Sequence, residues 1–189
     1  ANMLHSDKPF IGSSEGAAGA QHTFEMSEIL LGGVSDQYVT FGLINPLSPM
    51  AYGTDMIEAI IAYARARQPL IFATLIMAGS TGPITLAGVI AQQNAELLAG
   101  IVLAQLISPG LPVLYGSTST NIDMRTGGLA IGSPELALCI SAHTQLARFY
   151  GLPARGGGAL TDSSTTDAQS GYESMFSLMT TVFSGMDFI

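Results

Sequence analysis

The hydrophobic positions of this chain fall into two alternating kinds of run. Short runs rich in β-branched and aromatic residues predict strands, and longer runs interrupted by polar residues predict helices. The predicted strands are residues 9–12, 38–44, 70–77, 113–116 and 153–159, and a further strand begins near Met186. The predicted helices are residues 22–31, 55–67, 85–107, 134–150 and 168–183.

Several residues mark where the predicted helices begin and end. Thr54 is placed to cap the second helix. Ser133, Pro134 and Glu135 read as a cap, a first-turn proline and a favourable acid. Glycines follow three of the helices, where a residue in the left-handed conformation often ends the element, and these are Gly110, Gly151 and Gly185.

The strand pattern predicts a parallel sheet. Runs 38–44 and 70–77 are almost continuously apolar, as expected of strands buried on both faces under helices. Successive strands are separated by roughly the length of a βα unit. A series of such units forms either a doubly wound sheet or a (β/α)8 barrel, and the pattern alone fits both.

About five βα units and the start of a sixth are present. A barrel of this size would leave two parallel edge strands without partners. We therefore expect residues 1–189 to form a single domain that is the central fragment of a longer protein.

Composition excludes two classes of partner. Hydrophobic residues make up 48% of the chain and charged residues 11%, with a net charge of -8 and only Lys8 and five arginines as bases. Such a chain is not suited to neutralising nucleic-acid phosphates or binding anionic membrane surfaces. The most apolar stretch, residues 85–107, contains Gln92, Gln93, Asn94 and Glu96, which favours a buried helix over a membrane span.

The reactive residue types are sparse. Cys139 is the single cysteine, which excludes an internal disulfide and fits a reducing compartment such as the cytoplasm, and its apolar surroundings predict a buried thiol. His5, His22 and His143 lack metal-binding spacing, so we expect no metal held by the protein itself. Neither a phosphate loop nor a complete nucleophile-elbow motif is present.

Polar residues at the predicted strand ends indicate where a site would lie. In a barrel the chemistry takes place at the carboxyl ends of the strands. Glu96 and Asn94 also stand out, because a carboxylate in an apolar helix needs partners, and a structural network accounts for them equally well. The polar residues at or just beyond strand ends are Asn45, Ser80, Tyr115, Ser117 and Asp162.

Five separated motifs, in order, resemble the trimethylamine methyltransferase family. They are the helical run 94–105, the Tyr-Gly-Ser of 115–117, the Gly-Ser-Pro-Glu-Leu of 132–136, the Phe-Tyr-Gly-Leu-Pro of 149–153, and Asp162 followed by Asp167, Gln169, Gly171 and Glu173. The similarity covers nearly the whole chain and is weaker before Tyr38.

This resemblance implies a fold and a reaction. The fold would be an α/β (β/α)8 TIM barrel, of which this chain forms the central five to six βα units. The reaction would move a methyl group from a methylated amine to the cobalt of a corrinoid, which a separate corrinoid protein carries to the barrel mouth. A homo-oligomer is compatible with these features.

One position departs from the trimethylamine enzymes. Where they carry pyrrolysine, the alignment places Leu160, which has no imine to bind an amine. The chain therefore resembles the pyrrolysine-lacking branch that acts on quaternary amines such as glycine betaine. Leu160 would supply an apolar wall and Tyr115 a face for the cation, while Asp162 would balance its charge and Arg155 would bind a substrate carboxylate.

The further substrate contacts expected at this mouth are Ser117, Glu96 and Asn45. Two alternatives remain at this point. One is a trimethylamine-specific enzyme of the same family, and the other is a non-catalytic or hydrolytic barrel relative, because a fold does not fix a function.

Overall fold

The computed structural model describes residues 5–6, 8–32 and 37–189. Its centre is a parallel sheet of five strands in the spatial order β1-β2-β3-β5-β7. A second, two-stranded parallel sheet pairs β4 with β6. The strands are β1 (Phe10–Gly12), β2 (Thr40–Ile44), β3 (Leu70–Thr74), β4 (Met77–Ala78), β5 (Val113–Ser117), β6 (Thr120–Asn121) and β7 (Ala154–Gly156).

In the part of the chain that the structure describes, five helices connect or follow these strands. They are α1 (Gly16–Leu31), α2 (Thr54–Arg65), α3 (Leu86–Ile107), α4 (Pro134–Phe149) and α5 (Ala168–Ser184). Residues from α1 to α4 share one hydrophobic core with one face of the sheet. All four helices therefore cover the same side, whereas a doubly wound sheet carries helices on both sides.

The strand order also distinguishes a barrel from a doubly wound sheet. Each strand of the main sheet pairs with the strand of the preceding βα unit, without the reversal that defines a doubly wound sheet. The predicted fold, part of a (β/α)8 barrel, is confirmed. The sixth strand expected near Met186 begins to form, because Phe188 makes a parallel β-bridge with Arg155.

The register assigns each strand residue to one face. Phe72 pairs with Tyr115, and Tyr115 pairs with Ala154. All three belong to the core beneath the helices. Because side chains alternate along a strand, the residues two positions away from them also face the helix layer. The alternating residues, which include Ala73, Gly116 and Arg155, face the concave side that is the interior of a barrel.

Three element boundaries differ from the sequence predictions by three residues or more. Helix α1 begins six residues earlier than predicted, at Gly16. Glycine is a poor helix former, yet a Cβ at Gly19 would lie 2.5 Å from Ser13 Oγ, so close packing favours glycine there. The predicted strands 70–77 and 153–159 end early, at Thr74 and Gly156, because the chain then turns into loops at the carboxyl edge.

The helix caps were predicted with mixed success. The Thr54 cap was wrong, because α2 already includes Thr54 and Gly53 occupies the cap position without a side-chain bond. Ser133 does precede α4, but its hydroxyl donates to Asn121 Oδ1 at 2.8 Å instead of capping the helix. Thr85 caps α3 by accepting a bond from Gly88 N at 3.2 Å.

Helix α3 is the one helix among the described residues that is long and apolar enough to cross a membrane by length and composition. In the structure it packs against β3 and β5, and it buries Gln93 and Glu96. Gly100 lies where the helix approaches the sheet, because a Cβ there would lie 2.6 Å from Phe72 Cε1 and would also collide with the Tyr52 hydroxyl.

The two helical glycines Gly100 and Gly171 predict opposite effects of alanine. Gly100→Ala should lower the free energy of unfolding by about 2 kcal/mol, because Phe72 must move. Gly171→Ala should raise it by about 1 kcal/mol, since a Cβ at this exposed position of α5 meets nothing within 4 Å. Urea unfolding measures both, and equal signs would contradict the inferred α3–sheet contact.

Candidate functional site

Arg155 lies on the concave face of the sheet. A Cβ built on Gly116, its partner on β5, would be 3.3 Å from Arg155 Cδ and 3.4 Å from the Ala73 Cβ. The Arg155 side chain therefore extends across the same face as Ala73, opposite to the helix layer. This is the orientation that a role at the barrel mouth requires.

The guanidinium of Arg155 is half-buried and lacks an anionic partner among the described residues. Within residues 5–6, 8–32 and 37–189, no hydrogen bond or ion pair to this group is found. Burial lowers the pKa of Arg155, because partial loss of water disfavours its charge. A guanidinium of this kind is suited to a bidentate contact with a carboxylate, and the contact between Arg155 and a substrate carboxylate stays a prediction.

Leu160 lies at the same end of the concave face. A Cβ on Gly157 would lie 2.6 Å from Leu160 Cδ1 and 3.3 Å from Thr118 Cγ2. Gly157 directly follows β7 and Thr118 directly follows β5, so Leu160 folds back at the carboxyl edge of the sheet, near Thr118. The apolar wall expected at residue 160 stays a prediction.

Asn45 directly follows β2 and is exposed. By the alternation along β2 it belongs to the concave side, because Ile44 is in the core beneath the helices. The structure thus brings Asn45, Arg155 and Leu160 to one side of the sheet at its carboxyl end. Their contact with a substrate stays a prediction.

Tyr115 does not line this concave side. Its ring is fully buried between β5 and the helices, and its hydroxyl donates to Asn94 Oδ1 at 3.0 Å. Asn94 in turn donates to the Tyr150 hydroxyl at 2.9 Å. Burial raises the pKa of Tyr115, as expected for a phenol with little access to water. The expected cation contact with Tyr115 is therefore corrected, because strand alternation turns the ring away from the mouth.

Ser117 has the same orientation as Tyr115, two residues further along β5. It donates to Gln93 Oε1 at 2.6 Å and accepts from Ser119 N at 3.0 Å. The Thr74 hydroxyl also donates to it at 3.3 Å. Ser117 thus joins β3, β5 and α3 behind the carboxyl edge, and it is not available as the predicted substrate contact.

Glu96 is also a structural residue in this chain. Its carboxylate accepts from Ser48 Oγ at 2.7 Å, from Met50 N at 2.8 Å and from Gln92 Nε2 at 2.8 Å. Gln92 also donates to Thr81 O at 3.1 Å. Buried on α3, Glu96 connects the loops that follow β2 and β3, so the structural alternative is correct and the predicted substrate contact is not.

Asp162 is exposed, but both of its carboxylate oxygens are occupied. They accept from Ile131 N at 2.8 Å and from Gly132 N at 2.9 Å. These amides belong to the glycine-containing loop between β6 and α4. The carboxylate therefore joins the loops that follow β6 and β7, and the charge-balancing role predicted for it is not the one that its contacts indicate.

His143 belongs to the core between α4 and β7. It is 1% exposed, and its Nε2 has no hydrogen-bond partner within the described part of the chain. Its ring lies 6.5 Å from that of Tyr115, and Nε2 would be 3.4 Å from a Cβ on Gly156. Burial is the main reason that the pKa of His143 falls to about 4, with the charge of Arg155 acting in the same direction.

This low pKa predicts acid sensitivity. Between pH 6.5 and 4 the unfolded chain binds a proton at His143 that the folded chain excludes, so stability is present above pH 6.5 and is lost as the pH falls to 4. The loss should reach about 3 kcal/mol. Urea unfolding between pH 7 and pH 4 should show this loss of unfolding free energy in the wild type and not in His143→Gln. Parallel pH curves for the two proteins would contradict the assignment.

Cys139 is buried, as predicted. Burial raises the pKa of its thiol to about 11, which keeps it protonated at neutral pH. Among the residues that the structure describes, no three His, Cys, Asp or Glu side chains converge as metal ligands. The expected absence of a protein-held metal stays a prediction.

Sequence reasoning missed the contacts of Thr118 and Gln93, whereas the glycines Gly156 to Gly158 were expected beside a pocket. Both faces of a barrel strand are apolar, so alternation along β5 could not show whether Tyr115 or Gly116 points inward. Gln93 could have been found, because it lies three residues before Glu96 on the same apolar helix. Two grooves of about 520 and 680 Å³ lie between α4 and α5 and between α1 and α2, in the outer helix layer.

Comparison with known proteins identifies related sequences over the whole chain. The family described as trimethylamine methyltransferase (MTTB) matches residues 1–189. Glycine betaine methyltransferase of Desulfitobacterium hafniense is 54% identical over 100% of this chain and 40% of its own length. Proline betaine:corrinoid methyltransferase of Eubacterium limosum is 45% identical over 76% of this chain and 30% of its own length.

The trimethylamine methyltransferase of Methanosarcina thermophila is 39% identical, over 78% of this chain and 30% of its own length. The chain thus spans between 30% and 40% of these three relatives. Among solved structures, a dihydropteroate synthase from Coxiella burnetii in complex with pteroic acid superposes with a TM-score of 0.56. It is 12% identical, and the match covers 100% of this chain and 76% of that one. At this identity the likeness concerns the barrel fold alone.

Proposed function

Since the chain belongs to the trimethylamine methyltransferase family, we propose that the protein transfers a methyl group from a quaternary methylated amine to the cobalt of a corrinoid. The substrate is glycine betaine or a similar carboxylated amine, and a separate cytoplasmic corrinoid protein carries the acceptor. The observation that carries this proposal is 54% identity with glycine betaine methyltransferase along the entire chain. A second relative, of Eubacterium limosum, is a proline betaine:corrinoid methyltransferase by name, which supports a corrinoid as the methyl acceptor.

The reaction requires little from the protein in the way of acid or base. The electron pair of cob(I)alamin forms a bond to the methyl carbon, and the C–N bond breaks with its electron pair returning to nitrogen. A quaternary ammonium thereby leaves as a neutral tertiary amine, and no proton is transferred. The protein must orient the methyl group in line with the cobalt and exclude water.

The concave side of the sheet provides groups for that task. Arg155 offers the substrate carboxylate a guanidinium that has no anionic partner in the described part of the chain, and Leu160 offers an apolar surface at the same edge of the sheet. Asn45 adds an exposed amide at the end of β2. An apolar residue at position 160 fits a substrate that already has four substituents on nitrogen, because no covalent capture of the amine is needed.

The proposal is tested by incubating the full-length protein with cob(I)alamin and candidate amines under anaerobic conditions. Glycine betaine, proline betaine, carnitine and trimethylamine are compared, and absorbance follows the formation of methylcobalamin. Glycine betaine with deuterated methyl groups should give methylcobalamin of correspondingly higher mass, together with dimethylglycine. Conversion with glycine betaine supports the proposal.

The other outcomes distinguish the alternatives. Turnover of trimethylamine without turnover of any betaine would favour the hypothesis of a trimethylamine-specific enzyme. Binding of a betaine without methyl transfer, with either free cobalamin or the corrinoid protein, would identify a non-catalytic relative. Hydrolysis without a corrinoid would place the protein in a different reaction class.

A further inference from the structure

Three residues on one face of α5 hold the segment 157–162, which follows β7. Glu173, Ser177 and Thr181 are spaced four residues apart and therefore lie in one row along the helix. We call them the α5 clamp. Ser177 and Thr181 are 3% and 0% exposed, so this part of the row faces the protein, whereas Glu173 lies at its partly exposed end.

Each member of the α5 clamp contacts a different point of the segment. Thr181 Oγ1 donates to Gly157 O at 2.7 Å, and Leu160 N donates to Ser177 Oγ at 2.9 Å. The Glu173 carboxylate accepts from Thr161 Oγ1 at 2.7 Å and from Asp162 N at 2.8 Å. The hydrogen bonds thus run in order along both the helix and the loop.

The α5 clamp fixes the path of the segment around Leu160. Ala159 has a φ of 55°, in the left-handed region that an alanine rarely adopts. The bonds from Gly157 O and Leu160 N to α5 flank this residue on both sides and hold it there. The turn at Ala159 brings Leu160 back over Gly157, where its side chain lies beside Thr118.

The clamp also extends to the neighbouring loop. Asp162, whose amide bonds to Glu173, accepts from Ile131 N and Gly132 N. A Cβ on Gly132 would collide with the Glu173 carboxylate, so the loop before α4 packs directly on this contact. The hydrogen bond from Thr161 lowers the pKa of Glu173, which keeps the carboxylate ionised at neutral pH.

We infer that Glu173, Ser177 and Thr181 are positioning residues that set amine selectivity by holding the Leu160 side chain at the mouth. This inference rests on the proposed function for its substrate. A branched side chain held in one place limits the size of the groups that fit on the nitrogen, whereas a mobile one yields to a bulkier amine. Selectivity among betaines therefore depends on residues of α5 that touch no substrate.

The test compares kcat/KM for glycine betaine with that for the bulkier proline betaine in the full-length protein. The selectivity ratio is kcat/KM for glycine betaine divided by kcat/KM for proline betaine. Ser177→Ala and Thr181→Val should each lower this ratio about tenfold, which corresponds to the free energy of one hydrogen bond that holds the segment. Thr180→Val is the matched control, because within the described residues the Thr180 hydroxyl bonds only to Phe176 O of its own helix. Its ratio should stay within about twofold of the wild type.

A double-mutant cycle shows whether the effect acts through Leu160. Leu160→Ala should lower the ratio by itself, and adding Ser177→Ala should change it no further. Equal losses of kcat/KM for both amines would overturn the inference, since they would indicate general damage to the fold. A Ser177→Ala effect that persists in the Leu160→Ala protein would also overturn it.

A second measurement does not depend on turnover. Amide hydrogen exchange at Leu160 should be slow in the wild type and in Thr180→Val, and about tenfold faster in Ser177→Ala and Thr181→Val. Unchanged exchange in the latter two variants would overturn the positioning role. If no amine is turned over, the proposed function fails and the selectivity claim fails with it, while this exchange pattern still decides whether α5 holds the segment.

Discussion

Arg155→Met is expected to lower kcat/KM for glycine betaine by about 100- to 1000-fold. The guanidinium is half-buried on the concave face and has no anionic partner within the described residues. Under the proposed function the substrate carboxylate supplies that partner, and removing one member of a hydrogen-bonded charge pair costs about 2 to 5 kcal/mol. Methionine keeps much of the side-chain volume, so the loss should reflect charge and hydrogen bonding.

A substrate without a carboxylate separates binding from general damage. Choline carries the same trimethylammonium group with a neutral hydroxyl, so its low kcat/KM should change by less than about threefold in Arg155→Met. Arg148→Met serves as the control, because Arg148 lies at the end of α4, where it reaches Gly185 O. Equal losses for glycine betaine and choline, or a similar loss in Arg148→Met, would show that Arg155 does not bind the carboxylate.

Glu96→Gln is expected to lower the free energy of unfolding by about 4 kcal/mol. The carboxylate is 2% exposed and accepts hydrogen bonds from Ser48, Met50 and Gln92. A bond to a charged acceptor contributes roughly 1.5 to 3 kcal/mol. Glutamine keeps the shape but replaces one accepting oxygen with a donor, so at least one of the three donors faces another donor in a buried place.

The first helix provides a closely matched control. Gln21 Nε2 donates to Glu25 Oε1 at 3.0 Å, the same helical pair at the same spacing as Gln92 and Glu96, but exposed to water. Glu25→Gln should therefore change the free energy of unfolding by less than about 0.5 kcal/mol. Urea unfolding at pH 7 measures both variants. Similar small effects at the two positions would mean that Glu96 does not hold the two loops together.

The sequence predicted the elements of the fold well and their ends less well. Five strands, five helices and the first contacts of a sixth strand occur where the apolar pattern indicated. The spacing of apolar residues and the positions of glycine and proline are local properties of the sequence, so they predict where elements occur. Element ends depend on contacts with distant segments, as at Gly19, where Ser13 favours a glycine inside a helix.

The candidate site shows a sharper division. Sequence reasoning found Arg155 and Leu160, and the structure places both on the concave side. It also selected Tyr115, Ser117 and Glu96, which lie behind the sheet in hydrogen-bonded networks. Polar residues near a strand end are equally useful for binding a substrate and for joining loops, and composition does not distinguish the two uses.

The sequence by itself determined the family, the βα alternation and the apolar residue at position 160, because these depend on which residues occur in which order. Only the tertiary structure decided which face each side chain occupies. A strand turns successive residues to opposite sides, and in a barrel both sides are apolar. A shift of one residue along the strand therefore moves a side chain from the concave face to the core beneath the helices. The structure thereby turned Tyr115 to the helix layer, left Arg155 on the concave face, and brought α5 against the segment that carries Leu160.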